Sequence, residues 1–271
     1  MSKLTPAKPE EVMVIRNLTP DLVTLSVPFS RFGLARVGGR ATIIRLKSQD
    51  LVVFSPVALT PDVKSTIESL GGKVKFLVAP DIEHHIFLSA WKQAYPDAQI
   101  IAPDGLKEKR EQNPETRGLK FAHILTPTNK HGYKIPEFGD EMEIEYVDAH
   151  PNQEIVLFHK PTKTMVEADF IFNLPATEQF SKSEESPTQG LVTKLFVALM
   201  SAKGSVTWQK RTIWYLFASK DRKGYAQSAN SMAKWDFDRI IPCHGDVIET
   251  GGKETFTNLL EWFLDGDKKR V

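Results

Sequence analysis

The chain has a single cysteine, Cys243, in 271 residues. A disulfide within the chain is therefore impossible, and zinc sites built from several thiolates are excluded. Long apolar runs are also missing. The longest candidate, GLVTKLFVALM at 190–200, is too short to span a bilayer and contains Lys194. Charge of one sign is lacking as well. A formal net charge of +1 implies no basic face large enough to hold nucleic acid. No glycine-rich phosphate loop follows a strand, since VGGRA at 37–41 has only two glycines, and no Gly-x-Ser-x-Gly elbow supports a serine hydrolase. The opening MSKLTPAKPEEV lacks the charged-then-apolar pattern of a secretory signal. Together these absences lead us to expect a cytoplasmic protein acting on a small molecule, with neither nucleic acid nor membrane as partner. They leave the oligomeric state open.

What is present is enough apolar material for a sizeable core: 41% hydrophobic residues against 25% charged. Residues 1–21 read as a leader, 22–265 as one domain and 266–271 as a tail. Short β-rich runs come first. LVTLSVP (22–28) is followed by ATIIRL (41–46) and LVVFS (51–55), with KSQD between the last two as a hairpin turn. TPDVKSTIESLGG then predicts a helix, with Thr60 as N-cap, Pro61 in the first turn and Gly71 as the stop. KVKFLVA, IFLSAWKQAYP and AQIIAP continue as strand, helix and strand. After a polar middle at 103–140, strand rhythm returns in EMEIEYVDA, EIVLFHK and KTMVEADFIF. Helical patterns follow at about 188–201 and 206–234, then a strand RIIP and a last helix at 253–264. Two stacked sheets with helices on their outer faces satisfy the layering rule, with 181–235 as a helical insertion before the last strand.

Four groups of polar residues follow strand-like runs: Asp81, Glu83, His84 and His85 in APDIEHH; His150 in DAHPNQE; Asp169 in EADFIF; and His244 in PCHGD. Strand ends of one sheet converge on one edge, so residues far apart in sequence can meet there. Histidine with carboxylate is the ligand set of zinc and also suits iron or manganese. Asp81 and Glu83 have a second reading, because acids at a helix start gain about 0.3–1 kcal/mol each from the helix dipole. His84 and His85 are neighbours and would point about 100° apart on a helix, so one of them enters a site. His159 reads as an interior histidine, His123 and His131 as solvated, and Cys243 as a small buried residue. The aromatics Trp208, Trp214, Tyr215 and Phe217 of the insertion either wall an apolar substrate pocket or pack against the domain.

The order of these motifs resembles metallo-β-lactamase-type hydrolases, which carry H-x-H-x-D-H, a third His, a metal-bridging Asp and a last His. The likeness spans roughly 22–265. EHHIFLSAW, YPDAQIIAP, EADFIFNLPATEQ and IIPCHGDVI look closer still to a branch known only as a domain of unknown function, notably its fungal members. The resemblance implies a four-layer αββα sandwich. It puts Glu83-His84 on the motif's Asp-His, with Asp81 and Ala79 where two histidines are usual, and Ala79 offers no ligand. It implies a divalent metal, one or two ions, zinc foremost with iron or manganese as alternatives, on Asp81, His84, His150, Asp169 and His244. Glu83 and Asp81 become the proton-transferring groups, and Glu154 orients His150. The activity so implied is hydrolysis of an ester, thioester, lactone or amide. A non-haem iron or di-iron oxidoreductase and a metal-free, non-catalytic relative are the alternatives.

Overall fold

The computed structural model describes residues 5–114, 116–130 and 133–264. His131 and the 266–271 tail lie outside them.

The first sheet has seven strands: β1 (Val14–Thr19), β2 (Leu22–Val27), β5 (Gly39–Arg45), β6 (Leu51–Phe54), β7 (Val74–Val78), β8 (Gln99–Pro103) and β9 (His123–Leu125), in that spatial order. Its first four strands pair antiparallel and the rest parallel. A short helix, α1 (Pro9–Val12), precedes β1, and a small hairpin, β3 (Ser30–Arg31) and β4 (Ala35–Arg36), leaves the sheet between β2 and β5. The second sheet runs β10 (Met142–Val147), β11 (Glu154–His159), β12 (Thr164–Glu167), β13 (Arg239–Pro242). Its last pair is parallel.

Period-two alternation sorts the side chains. On β6, Val52 and Phe54 face the second sheet and meet Ile155, Leu157, Val166 and Ile241 in a central core. Leu51 and Val53 point the other way, under α2 (Pro61–Leu70), α3 (Leu88–Ala94) and α4 (Leu106–Glu111), which contribute Val63, Ile67, Leu88, Trp91 and Leu106. The outer face of the second sheet, through Val156, Phe158 and Met165, is covered by α7 (Arg222–Met232) and α8 (Gly252–Leu259). Two sheets are thus enclosed by helices on both sides. Thr60 caps α2 by accepting from the Val63 N–H, and Gly71 ends it at φ +71°, as its sequence signals.

Three expectations need correction. The leader is part of the fold from Val14, because β1 pairs with β2 along its length. Its VIRNLT sequence hides this: an edge strand is half exposed and takes polar residues, and Arg16 reaches Glu178 and Glu249. The strand in KTMVEADFIF stops at Glu167, whose carboxylate accepts the N–H groups of Phe170 and Ile171 and turns the chain. The helical stretch at 206–234 is broken. α6 (Thr207–Thr212) runs into a π-turn at Ile213–Phe217, and α7 restarts at Asp221, which accepts from Gly224 N–H. Together with α5 (Leu191–Met200), these helices form the crossover from β12 to β13.

Candidate metal centre

The loop after β7 is shaped by Asp81, which is fully buried. One carboxylate oxygen accepts the backbone N–H groups of Glu83 and His84, both at 2.7 Å, in a turn that a short acid closes well. The other accepts from Nδ1 of His84 at 2.7 Å. The Asp81 carboxylate is therefore fully engaged by the protein. It orients the imidazole, and Asp81 is not among the converging ligand atoms described below. Burial alone would raise its pKa, but His84 and the two N–H groups outweigh burial and hold it at about 2.

The same turn separates the adjacent histidines. His84 points inward, while the His85 ring accepts from Arg110 at 2.9 Å. Burial, with Arg110 and Lys109 nearby, lowers His85 to about 4. Glu83 is nearly half exposed and paired with Lys109 at 2.8 Å. Ala79 lies in the core under the helices of the first sheet, not at the site.

Asp169 is presented by the turn after β12. Glu154, fully buried on β11, accepts the N–H groups of Ala168 (2.8 Å) and Asp169 (2.9 Å). It lies 3.9 Å from His150 Nδ1, too far for a hydrogen bond, so Glu154 sets the Asp169 backbone rather than the His150 ring. Asn152 was not legible as a site residue beforehand, yet its side-chain amide donates to Asp169 Oδ2 at 2.6 Å. Its backbone N–H donates to His150 Nδ1, leaving His150 Nε2 buried without a partner. Burial lowers the His150 pKa to about 4.

His244 follows β13. Its Nδ1 donates to the Gly38 carbonyl at 2.6 Å, and its ring stacks on Phe172 with centroids 5.3 Å apart. The loop closes tightly here. Gly245 sits at φ +92°, and a Cβ there would lie 2.2 Å from the Asn173 carbonyl oxygen. Gly245→Ala is accordingly expected to lower stability by about 2–3 kcal/mol through left-handed strain and clash. Urea unfolding checks this, and an unchanged midpoint would refute it.

Three ligand atoms converge. His84 Nε2 lies 3.2 Å from His244 Nε2, which lies 3.3 Å from Asp169 Oδ1, and all three fall within 4.8 Å of one another. An ion about 2.0–2.1 Å from tetrahedral ligands holds those ligands about 3.3–3.4 Å apart. Asp169 Oδ1 is buried with no hydrogen-bond donor, and both imidazoles have their other nitrogen fixed by an oxygen acceptor, the arrangement metal-bound histidines adopt. The donors therefore fit a divalent cation. Of the five expected ligands, this cluster contains His84, Asp169 and His244 but neither Asp81 nor His150.

The two Nε2 atoms lie within hydrogen-bond distance, so without an ion a proton on His84 can be shared with His244. Burial disfavours charge on both. Asp81 and Asp169 overcome it for His84, raised to about 9, whereas His244 falls to about 4. A metal must displace that proton. Uptake at neutral pH is expected to release about one proton, and affinity to rise about tenfold per pH unit until His84 deprotonates near 9. Calorimetric titration of zinc in buffers of differing ionisation enthalpy measures the release, and zero release would refute the bridged state.

Beside His84 and His244 opens a cavity of about 360 Å³, walled by Phe29, Phe32, Val57 and Phe87, with Arg31 at its edge. Trp208, Trp214 and Tyr215 do not line it. Trp208 and Tyr215 are exposed, and Trp214 packs on Trp262 and Phe263. The pocket aromatics come from the β2–β5 region and the loop before α3. The remaining candidates are structural. Cys243 is buried, with burial pushing its thiol pKa up. His159 is buried and bonded to Thr162, and His123, expected to be solvated, is partly buried between Gln99 and Tyr133.

Solved structures share this architecture. The metallo-β-lactamase DIM-1 matches at 12% identity with a TM-score of 0.57, over 95% of this chain and 98% of its own. FIM-1 from Pseudomonas aeruginosa, in a mono-zinc form, matches at 14% and 0.55, over 92% of this chain and 95% of its own. A flavo di-iron protein variant from Thermotoga maritima matches at 11% and 0.56, over 93% of this chain and 62% of its own. The fold is metallo-β-lactamase-like. No curated protein matches the sequence. A family defined only as a domain of unknown function, DUF4336, matches residues 33–209, and the chain belongs to that family.

Proposed function

We propose that the protein is a metal-dependent hydrolase of an ester, thioester, lactone or amide. The observation that carries this reading is the His84, Asp169, His244 cluster, two of whose members, His84 and His244, line an apolar cavity. Three protein ligands leave a fourth tetrahedral position open, as in catalytic rather than structural zinc sites. A divalent ion held there supplies Lewis acidity and a water of lowered pKa.

The chain's own groups do the rest. Asp81 and the Gly38 carbonyl fix the two imidazoles, and Glu154 with Asn152 fixes Asp169. Phe29, Phe32, Val57 and Phe87 receive the apolar part of the substrate and exclude water. The Arg31 guanidinium lies over the Phe32 ring, 5.3 Å from its centroid, and lines the cavity. It faces a substrate carboxylate or the charge that develops on a carbonyl oxygen.

Two histidines and one carboxylate are also the ligand set of mononuclear non-haem iron, which supports an oxidoreductase as the second reading. Elemental analysis of protein prepared without chelator or affinity metal separates the readings, combined with turnover of an ester, thioester and lactone panel. Near-stoichiometric zinc with hydrolysis supports the first. Iron with oxygen-linked turnover selects the second. Metal-free protein overturns both and leaves a non-catalytic relative.

A further inference from the structure

Six large apolar side chains stand exposed along the crossover: Leu191, Val192, Leu195, Trp208, Tyr215 and Leu216. Leu191 is 85% exposed, an extreme for leucine on a folded surface. Two more, Phe32 and Leu34, project from the β3–β4 hairpin, which α5 packs against through Thr193 and the Leu34 carbonyl. α5 packs on α6, which runs directly into the π-turn, so these residues sit on adjoining elements.

The charge of the same region is strongly one-sided. Between Gly190 and Gly224 the sequence has seven Lys or Arg residues and a single carboxylate, Asp221. Lys203 is paired with Asp246 and Lys210 with Glu261. Lys194, Arg211, Lys220, Arg222 and Lys223 form no ion pair among the described residues. Two of them stack on exposed or half-buried indoles instead, Arg211 over Trp208 and Arg222 over Trp214. Just upstream stand Glu184 and Glu185, the latter tied to Arg36. The chain as a whole carries +1 while this stretch alone carries +6, so the rest is net acidic and the basic excess lies where apolar side chains are exposed.

We propose that this face docks on an anionic membrane surface, with α5 lying in the interfacial plane. No described helix is long and apolar enough to cross a membrane, and none is needed. Apolar side chains that enter the acyl boundary, ringed by lysine and arginine and anchored by tryptophan, are how a helix lies on a bilayer without spanning it. The charge decides against a second copy as the occupant. A two-fold contact sets a patch against itself, which would bring the unpaired cations of both copies together. Phe32 belongs both to this surface and to the cavity wall, so docking brings the cavity mouth to the lipid boundary. The inference does not depend on the proposed hydrolysis.

The test is co-sedimentation of the full chain with phosphatidylcholine vesicles, with and without phosphatidylserine. Binding is expected only with phosphatidylserine and is expected to weaken with salt. Lys194→Gln with Lys220→Gln should lower the partition coefficient about 25-fold, at about fivefold per cation. Leu191→Asp with Leu195→Asp should abolish binding at an unchanged thermal midpoint, since both side chains are exposed. His244→Ala should bind vesicles like wild type, which separates this inference from the metal site. Failure to bind anionic vesicles, equal binding to neutral ones, or a dimer that Leu195→Asp dissociates would each overturn it.

Discussion

His244→Ala is expected to abolish metal binding and any hydrolysis with it, while the protein stays folded. The imidazole is one of three converging ligands, and its Nδ1 is already fixed on Gly38. Losing an outer partner of a metal site costs about 10–100-fold in affinity, and losing a ligand costs more. Asp81→Asn tests that outer class. It retains one oxygen for the turn or the ring but not both, and the 10–100-fold loss is expected there. Trp208→Ala, far from the cavity wall, should leave metal affinity unchanged. Competition against a chelating dye measures all three. A His244→Ala protein that keeps its metal would remove the basis for the site.

Arg40→Met is expected to cost about 3–5 kcal/mol of stability, far more than a typical surface change. Arg40 is 1% exposed on β5. Its guanidinium donates to the carbonyls of Pro242 (2.6 Å) and Gly245 (2.7 Å) and to Ser26 Oγ, and it reaches Glu178 at 3.4 Å. Removal takes the guanidinium from two carbonyls in the buried interior, while Glu178 keeps Arg16 and Ser26 as partners. The two carbonyls bracket His244, so metal affinity should fall together with stability. Urea titration with an unchanged m-value, against Lys64→Met as an exposed control within about 0.5 kcal/mol, would show it. Equal midpoints for the two variants would refute the assignment.

The layers were legible because burial imposes simple periods. The unbroken apolar run LVVF and the Thr60-Pro61 cap announce β6 and α2 directly. β1 was not legible, because an edge strand needs only one satisfied side. Within the site, His84, Asp169 and His244 could be placed at strand ends, but residue type does not distinguish a ligand from the group that orients one. Asp81 and Asp169 are both buried acids at such ends; one turns both oxygens onto its own loop, the other keeps one oxygen free. Only hydrogen-bond geometry separates them. Arg40 and Asn152 escaped notice for a related reason. Their work is done across the fold, on carbonyls and a carboxylate contributed by other loops, and nothing local in VGGRA or HPNQE records it.

His84 belongs to the first sheet's loops, and Asp169 and His244 to the second's. A single ion on these three ligands would tie together points 160 positions apart in a chain with no second cysteine. In chain-entropy terms, a covalent cross-link closing a loop of that length restricts the unfolded ensemble by about 5 kcal/mol. A coordination bond of comparable persistence would do the work of a disulfide, reversibly and with the ion's free concentration as its control. The melting temperature would then report the metal supply, rising with each increment of free ion and falling under chelation.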